Sequence, residues 1–361
     1  MENTAQSTGK ERTKRSVSEW KSLVAEFQHP HAGRAWWQVT NTLGTVFVLW
    51  VVLYFVQGGM KNGDLTATTG WWTTILLSVL AGLFLVRAFI IFHDCGHGSF
   101  LKSKKVNNTL GFITGLLTLT PFYHWKWEHS VHHASTGDLS RRGLGDIWTL
   151  TVKEYLESTR WRRFTYRLIR NPFVLFLIGP LFLFFILQRF CAKSAKPREK
   201  NSVHLMNLAI LVKSAVLIYI FGFVPWLVIQ LTMMTVAGCS GVWLFYVQHQ
   251  FEDAYWVKGD EWDFTTAAME GSSFYKLPKL LQWFSGNIGF HHVHHLNPMI
   301  PNYNLERCHC SDPYFEKVPP MNLLTSLKSI NYRLWDEDAN KMIGFRQLKR
   351  QLALQELDQA A

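Results

Sequence analysis

The sequence predicts an all-α integral membrane protein: four transmembrane helices, accompanied by membrane-dipping or interfacial helices and a cytoplasmic helical cap. Three observations carry that expectation. Apolar residues make up 48% of the 361 positions and charged residues only 17%, below the ~25% usual for soluble domains. Long apolar runs recur near 38–57, 70–92, 171–190, 204–224 and 225–247, each about long enough to cross a ~30 Å hydrocarbon core as a helix. Many of the 16 tryptophans, among them Trp36, Trp37, Trp71, Trp72 and Trp226, sit at the ends of these runs, where an aromatic belt meets the lipid headgroups. The net charge of +11 lies in loops beside the apolar runs. Cytoplasmic loops touching anionic lipid account for it, and no nucleic-acid partner is expected.

Residues 1–35 are polar and basic, with Lys10, Arg12, Lys14, Arg15, Lys21 and Arg34 and no apolar leader segment. They read as a mobile cytoplasmic tail. The run 38–57 then exits through the nearly neutral loop Gln57–Gly70, and 70–92 returns at Phe92–His93. The segment 109–121, ending at Pro121, reads as a short interfacial helix. The run 171–190 is preceded by Arg160, Arg162, Arg163, Arg167 and Arg170 and followed by Arg189, Lys193, Lys196, Arg198 and Lys200. Both flanks belong on the cytoplasmic side, and Pro180 at the centre removes a helical hydrogen bond, so this run is expected to dip and return rather than cross. The runs 204–224 and 225–247 form a second out-and-back pair, joined by the uncharged Phe221-Gly222-Phe223-Val224-Pro225. Lys213, in the middle of the third span, has no reading.

Three regions result: the tail 1–35, a membrane domain 36–330, and a cytoplasmic C-terminal helical tail 331–361 with an amphipathic stretch near 338–358. Both termini face the cytoplasm of a bacterial inner membrane or an endoplasmic reticulum. The five cysteines show no paired framework and read as reduced thiols.

Most of the fifteen histidines fall in three clusters: His93 and His97; His129, His132 and His133; His291, His294 and His295. Residues i, i+3 and i+4 share one face of a helix, so each cluster presents a row of imidazoles. Imidazole suits iron, zinc, copper and nickel. Eight such ligands exceed what one ion holds, and two metal ions are the natural count. The topology argued from charge alone places all three clusters at the cytoplasmic ends of the spans. His249, at the cytoplasmic end of the fourth span, is a ninth candidate, while His124 and His292 fall off the rows.

At these residues the sequence resembles the membrane fatty acid desaturase family, whose three boxes stand here as His93-x-x-x-His97, His129-x-x-His132-His133 and His291-x-x-His294-His295. The flanking words HHASTGDLSRRGLGDIW (132–148), FYVQHQFEDAYW (245–256) and GNIGFHHVHHLNPMIPNYNL (286–305) resemble the delta-12 (omega-6) type. The resemblance implies that the nine histidines hold two non-haem irons, with O2 as co-substrate. Phe245 stands where some relatives carry a water-holding asparagine, for which Asn287 is a candidate substitute.

Such chemistry suits the task, because unactivated methylene carbons need an oxidant stronger than any side chain. Asp94, Glu128, Asp138, Asp146 and Glu306 lie near the boxes as candidate acceptors for the outer N–H of a ligating ring. For Asp138 and Asp146 the alternative is to brace Arg141 and Arg142. Trp125, Trp127, Trp243 and Phe290 are candidate walls of a tunnel for a membrane-borne acyl chain, or ordinary belt aromatics. With no haem module or dinucleotide fingerprint in the sequence, electrons are expected from a separate ferredoxin or cytochrome b5. It would dock on the basic stretches around 160–170 and 189–200.

The resulting expectation is desaturation of a lipid-linked acyl chain. A lipid hydroxylase, acetylenase, epoxygenase or carotenoid oxygenase would share the boxes. A metal transporter would need ligands inside the spans, and a zinc hydrolase would need a His-Glu-x-x-His motif or a three-ligand site.

Overall fold

The computed structural model describes residues 17–360. A first helix, α1 (Val17–Val24), precedes α2 (Ala32–Asn62) and α3 (Ala67–His97). Next come α4 (Lys104–Leu117), α5 (Phe122–Ser135), α6 (Arg160–Ile169) and α7 (Gly179–Phe185). The chain continues through α8 (Pro197–Phe221) and α9 (Phe223–His249) to the short α10 (His291–Leu296), α11 (Asn302–His309) and α12 (Phe345–Ala360). Among the described residues four helices, α2, α3, α8 and α9, are long and apolar enough to cross a membrane. Their outer faces stay apolar, with Phe47, Phe55, Leu208, Leu211 and Val212 exposed, as a lipid solvent permits.

Helices α3 and α9 form the central pair. Gly82 makes their contact possible: a Cβ there would meet Val236 Cβ at 2.7 Å and the Met233 carbonyl oxygen at 2.9 Å. Small residues allow this approach between helices in lipid. Both helices run on past this contact to end at histidines, His97 and His249.

The break expected at Pro180 is not there: Val174–Arg189 runs on through Pro180 as one helical segment, and the break precedes it. Arg160–Ile169 and Val174–Arg189 are bent by 61° to one another, and Pro180 packs against Gly238, eleven residues before His249. Lys213 finds its role beside this segment. Its ammonium donates to the Leu116 carbonyl at 3.1 Å, and Arg189 donates to the Leu119 carbonyl and to Asn207 Oδ1. Two basic side chains thus satisfy the bare carbonyls where α4 ends.

Three further expectations need correction. Residues 17–35 are not a mobile tail: Trp20, Val24 and Phe27 are buried against Leu305, Cys308 and Phe315, and Arg34 Nη1 donates to Asn304 Oδ1 at 3.2 Å. The remainder of the tail, 1–16, lies outside the described residues. The C-terminal helix begins at Phe345 rather than near 338, because Leu334–Asp336 and Lys341–Ile343 pair as antiparallel strands. Asp336 Oδ1 accepts from the backbone of Asp338 and Ala339, and Asn340 turns the chain at φ 47°. Arg170, counted from its charge in the basic cytoplasmic flank expected to dock an electron donor, is fully buried. Its guanidinium donates to Gln250 Oε1 (2.7 Å), the Tyr332 carbonyl (2.9 Å), Tyr246 Oη (3.3 Å) and the Trp148 carbonyl (3.4 Å).

Candidate metal centre

Four helices deliver the nine histidines to one place. His93 and His97 occupy the last turns of α3, which Gly98 closes in the left-handed region at φ 82°. His129, His132 and His133 lie on α5, His249 ends α9, and His291, His294 and His295 lie on α10. The approach to α10 is tight: Tyr275 donates its N–H to the Gly289 carbonyl at 2.7 Å, and a Cβ on Gly289 would lie 2.3 Å from the Tyr275 oxygen.

The imidazoles sort into two groups, each with ligand atoms within 4.8 Å of one another. One holds His93, His97, His129, His133 and His294; the other holds His132, His249, His291 and His295. The single rows expected from helical spacing are therefore split. On a helix, i and i+4 lie about 40° apart, whereas i+3 turns away from i+4 by about 100°. Each His-x-x-His-His box accordingly keeps its i, i+4 pair in one group and lends its i+3 histidine to the other. His294 crosses to join His129 and His133, with Nε2 3.0 Å from His133 Nε2. His132 crosses to join His291 and His295, with Nε2 3.2 Å from His249 Nε2. The exchange ties α5 and α10 together through both groups.

The donor set fits metal ions. The Nε2 atoms of His132 and His291 close on that of His249 at 3.2 and 2.9 Å, and those of His129 and His294 on that of His133 at 3.1 and 3.0 Å. His97 Nε2 and His295 Nε2 are buried without any hydrogen-bond partner, a cost of about 1–3 kcal/mol each if left bare. A neutral imidazole carries one donor and one acceptor, so four or five converging nitrogens cannot satisfy one another. A cation in each group satisfies them together. Burial, and after it the neighbouring imidazoles, hold His129, His133, His291, His294 and His295 well below the ordinary histidine range. The rings stay neutral, which is the ligating form.

Around the groups the expected acids divide. Asp94 Oδ1 meets His93 Nδ1 at 3.1 Å, while its Oδ2 accepts from the backbone N–H and side-chain amide of Asn302 at 2.6 and 2.8 Å. Asp146 Oδ1 meets His132 Nδ1 at 2.6 Å. The other three are engaged elsewhere. Asp138 pairs with Arg141, which favours the bracing role for that residue. Glu128 lies 3.4 Å from His124, and Glu306 pairs with Lys279 at the surface. His249 Nδ1 lies 3.2 Å from the Gly271 carbonyl, an acceptor with no mark in the sequence.

His124 accepts from the Ala192 N–H, and His292 pairs with His309 at 3.1 Å; both stand outside the two groups. Of the candidate tunnel aromatics, Trp125 stacks on His129 with ring centroids 4.4 Å apart. Trp127 packs on His124, Trp243 donates to Tyr275 Oη, and Phe290 stacks on Phe274. Phe245, unassigned from sequence, lies against both His132 and His249. Asn287 is turned away, donating to the Asn302 carbonyl and accepting from Gln282.

Residues 69–324 match the family described as fatty acid desaturase. A protein of Bacillus subtilis named fatty acid desaturase is 47% identical over 326 residues, covering 90% of each chain. An sn-1 oleoyl-lipid 12-desaturase of Synechocystis sp. is 27% identical over 304 residues, 81% of this chain and 79% of the relative. From the same organism, an sn-1 acyl-lipid omega-3 desaturase (ferredoxin) is 27% identical over 250 residues, 66% of each chain.

Proposed function

The chain belongs to the fatty acid desaturase family and is a membrane-bound oxidoreductase acting on lipid acyl chains; from that premise we propose that it performs O2-dependent desaturation of the delta-12 (omega-6) type, on an acyl chain carried by a membrane lipid. The proposed ligands of two irons are His93, His97, His129, His133 and His294 for one, and His132, His249, His291 and His295 for the other. The observation that carries this reading is the sorting of nine imidazoles, seven of them on buried residues, into two adjoining groups with no carboxylate in either among the described residues. An iron pair bound there supplies the oxidant, made from O2 and two external electrons, that unactivated methylene carbons require.

The protein's own part is to hold and shield. Asp94 and Asp146 accept the outer N–H of His93 and His132, leaving the inner nitrogen free to ligate and fixing the ring's tautomer. Asn302 anchors Asp94 in turn. Trp125 and Phe245 cover the two groups with apolar surface, against which an acyl chain lies and from which water is excluded. We further propose that both termini and the histidine groups face the cytoplasm, that 171–190 dips and returns, and that residues 36–330 form the membrane domain. The electron donor is a separate ferredoxin or cytochrome b5, docking near Arg160, Arg162, Lys193, Lys196 and Lys200; a relative whose name includes ferredoxin supports that class of donor.

The test is product mapping. The chain is expressed in a host lacking polyunsaturated lipids, and double bonds in its lipids are located by mass spectrometry, with His294→Ala as the blank. A new double bond twelve carbons from the carboxyl end, absent from the blank, is the expected result. A different position overturns the delta-12 assignment, and a hydroxylated product overturns desaturation.

A further inference from the structure

A basic groove at the start of α5, lined by none of the nine histidines, is absorbed by none of this. It has a volume of about 940 Å³ and runs between the start of α4, the start of α5 and the first turns of α8. Lys104, Lys105 and Arg198 line it, above Phe112, Phe122 and Leu205. Tyr123 fastens its back wall: its N–H donates to Ser202 Oγ at 2.9 Å, and the Arg198 guanidinium lies 3.9 Å from its ring centroid. Among the described residues, no carboxylate forms an ion pair with Lys104, Lys105, Lys126 or Arg198. Glu199, next to Arg198 in sequence, does not line the groove. After burial, the charges of Arg198 and Lys104 hold the Lys126 ammonium below the ordinary lysine range, a sign of how closely uncompensated cations crowd here.

The order of the walls along α4 and α8 identifies the occupant. On α4 the cations precede Phe112 by seven or eight residues, and on α8 Arg198 precedes Leu205 by seven; at 1.5 Å per residue each separation is about 11 Å. Below Leu205, α8 exposes Leu208, Leu211 and Val212 to lipid. Cationic rim, half-buried aromatic step and lipid-facing wall follow one another as phosphate, glycerol and acyl chain do in a phospholipid. Three cations without a counter-charge favour a headgroup of net negative charge over a zwitterionic one, whose ammonium they repel.

We propose that this groove binds an anionic phospholipid of the surrounding leaflet, its phosphate among Lys104, Lys105 and Arg198 and one acyl chain along Phe112 and Leu205. The site is separate from the histidine groups, and the proposal stands independently of which bond the enzyme oxidises.

The purified full chain is tested by native mass spectrometry against equimolar phosphatidylglycerol and phosphatidylcholine of identical acyl chains. Wild type is expected to retain phosphatidylglycerol about tenfold better. The triple variant Lys104→Gln, Lys105→Gln, Arg198→Gln is expected to lose that preference while keeping the metal content of wild type. A wild type without preference, or a variant that keeps it, overturns the site. Should the variant not fold, a photoactivatable phosphatidylglycerol on wild type decides. Cross-links within 104–112 and 198–205 uphold the proposal; cross-links confined elsewhere, or blocked by an acidic electron-donor protein rather than by excess lipid, overturn it.

Discussion

The two histidine groups use one ligand type and share α5 and α10, yet they are held from outside in different ways. The group of five is anchored through Asp94, which joins His93 to Asn302 at the start of α11. It is roofed by Trp125 on His129. The group of four is anchored through Asp146 on His132 and through the Gly271 carbonyl near His249, with Phe245 against two of its rings. One group therefore depends on contacts between α3 and α11, the other on loops that follow α5 and α9. The difference teaches that the two proposed metal sites should be separable by mutation even though their histidines interleave along the chain.

The largest expected effect tests the crossing itself. His132 and His133 are neighbours in sequence but belong to different groups. In purified protein, His132→Ala should release metal from the group of four and keep the other, taking the content from about two ions per chain toward one. His133→Ala should do the reverse, and the remaining ion should give a different spectroscopic signature in the two variants. Identical residual spectra would mean that the crossing is wrong.

Next in size are the acids that orient the rings. Asp146→Asn should weaken metal retention in the group of four, and Asp94→Asn in the group of five, each by roughly 10–100-fold in chelator competition. Asp94→Asn carries an added cost, since the Asn302 backbone N–H loses its carboxylate acceptor. Equal loss from both groups in either variant would remove the distinction between their anchors.

A smaller, selective effect is expected at Arg170, which holds Tyr246 and Gln250 on either side of His249. Arg170→Met leaves buried acceptors bare at about 1–3 kcal/mol each. It should lower the thermal midpoint and loosen the group of four before the group of five. Metal lost evenly from both groups on warming would argue against a local role.

What was legible in the sequence follows from what each signal depends on. The spans declared themselves because lipid imposes about twenty apolar residues at a stretch. The nine histidines declared themselves through helical spacing and their place at span ends. The sharing out of His132 and His294 was not legible, because it depends on how α5 and α10 face each other. Arg170 misled for a related reason: its charge predicts a flank, whereas four neutral acceptors from distant segments draw it inside. The packing of Trp20 and Phe27 escaped because one short amphipathic turn in a polar stretch has no period to read. Asp94 and Asp146 could be named as candidates beside Glu128, Asp138 and Glu306, but sequence proximity does not say which carboxylate meets a ring.

That last ambiguity gives the smallest expected effect and the sharpest contrast with Asp94 and Asp146. Glu306 pairs with Lys279 at a surface where the lysine side chain is 80% exposed and the carboxylate side chain 40%, so the pair contributes at most about 0.5 kcal/mol after screening by solvent. Glu306→Gln should leave metal content, chelator resistance and thermal midpoint within error of wild type. Its box neighbours in sequence would then differ from it in effect by one to two orders of magnitude, for a reason visible only in three dimensions: Asp94 and Asp146 reach a ligating ring, and Glu306 reaches a lysine. A Glu306→Gln chain that sheds metal as readily as Asp94→Asn would show that the surface pair supports the histidines through α11, and the contrast between the anchored and unanchored acids would have to be redrawn.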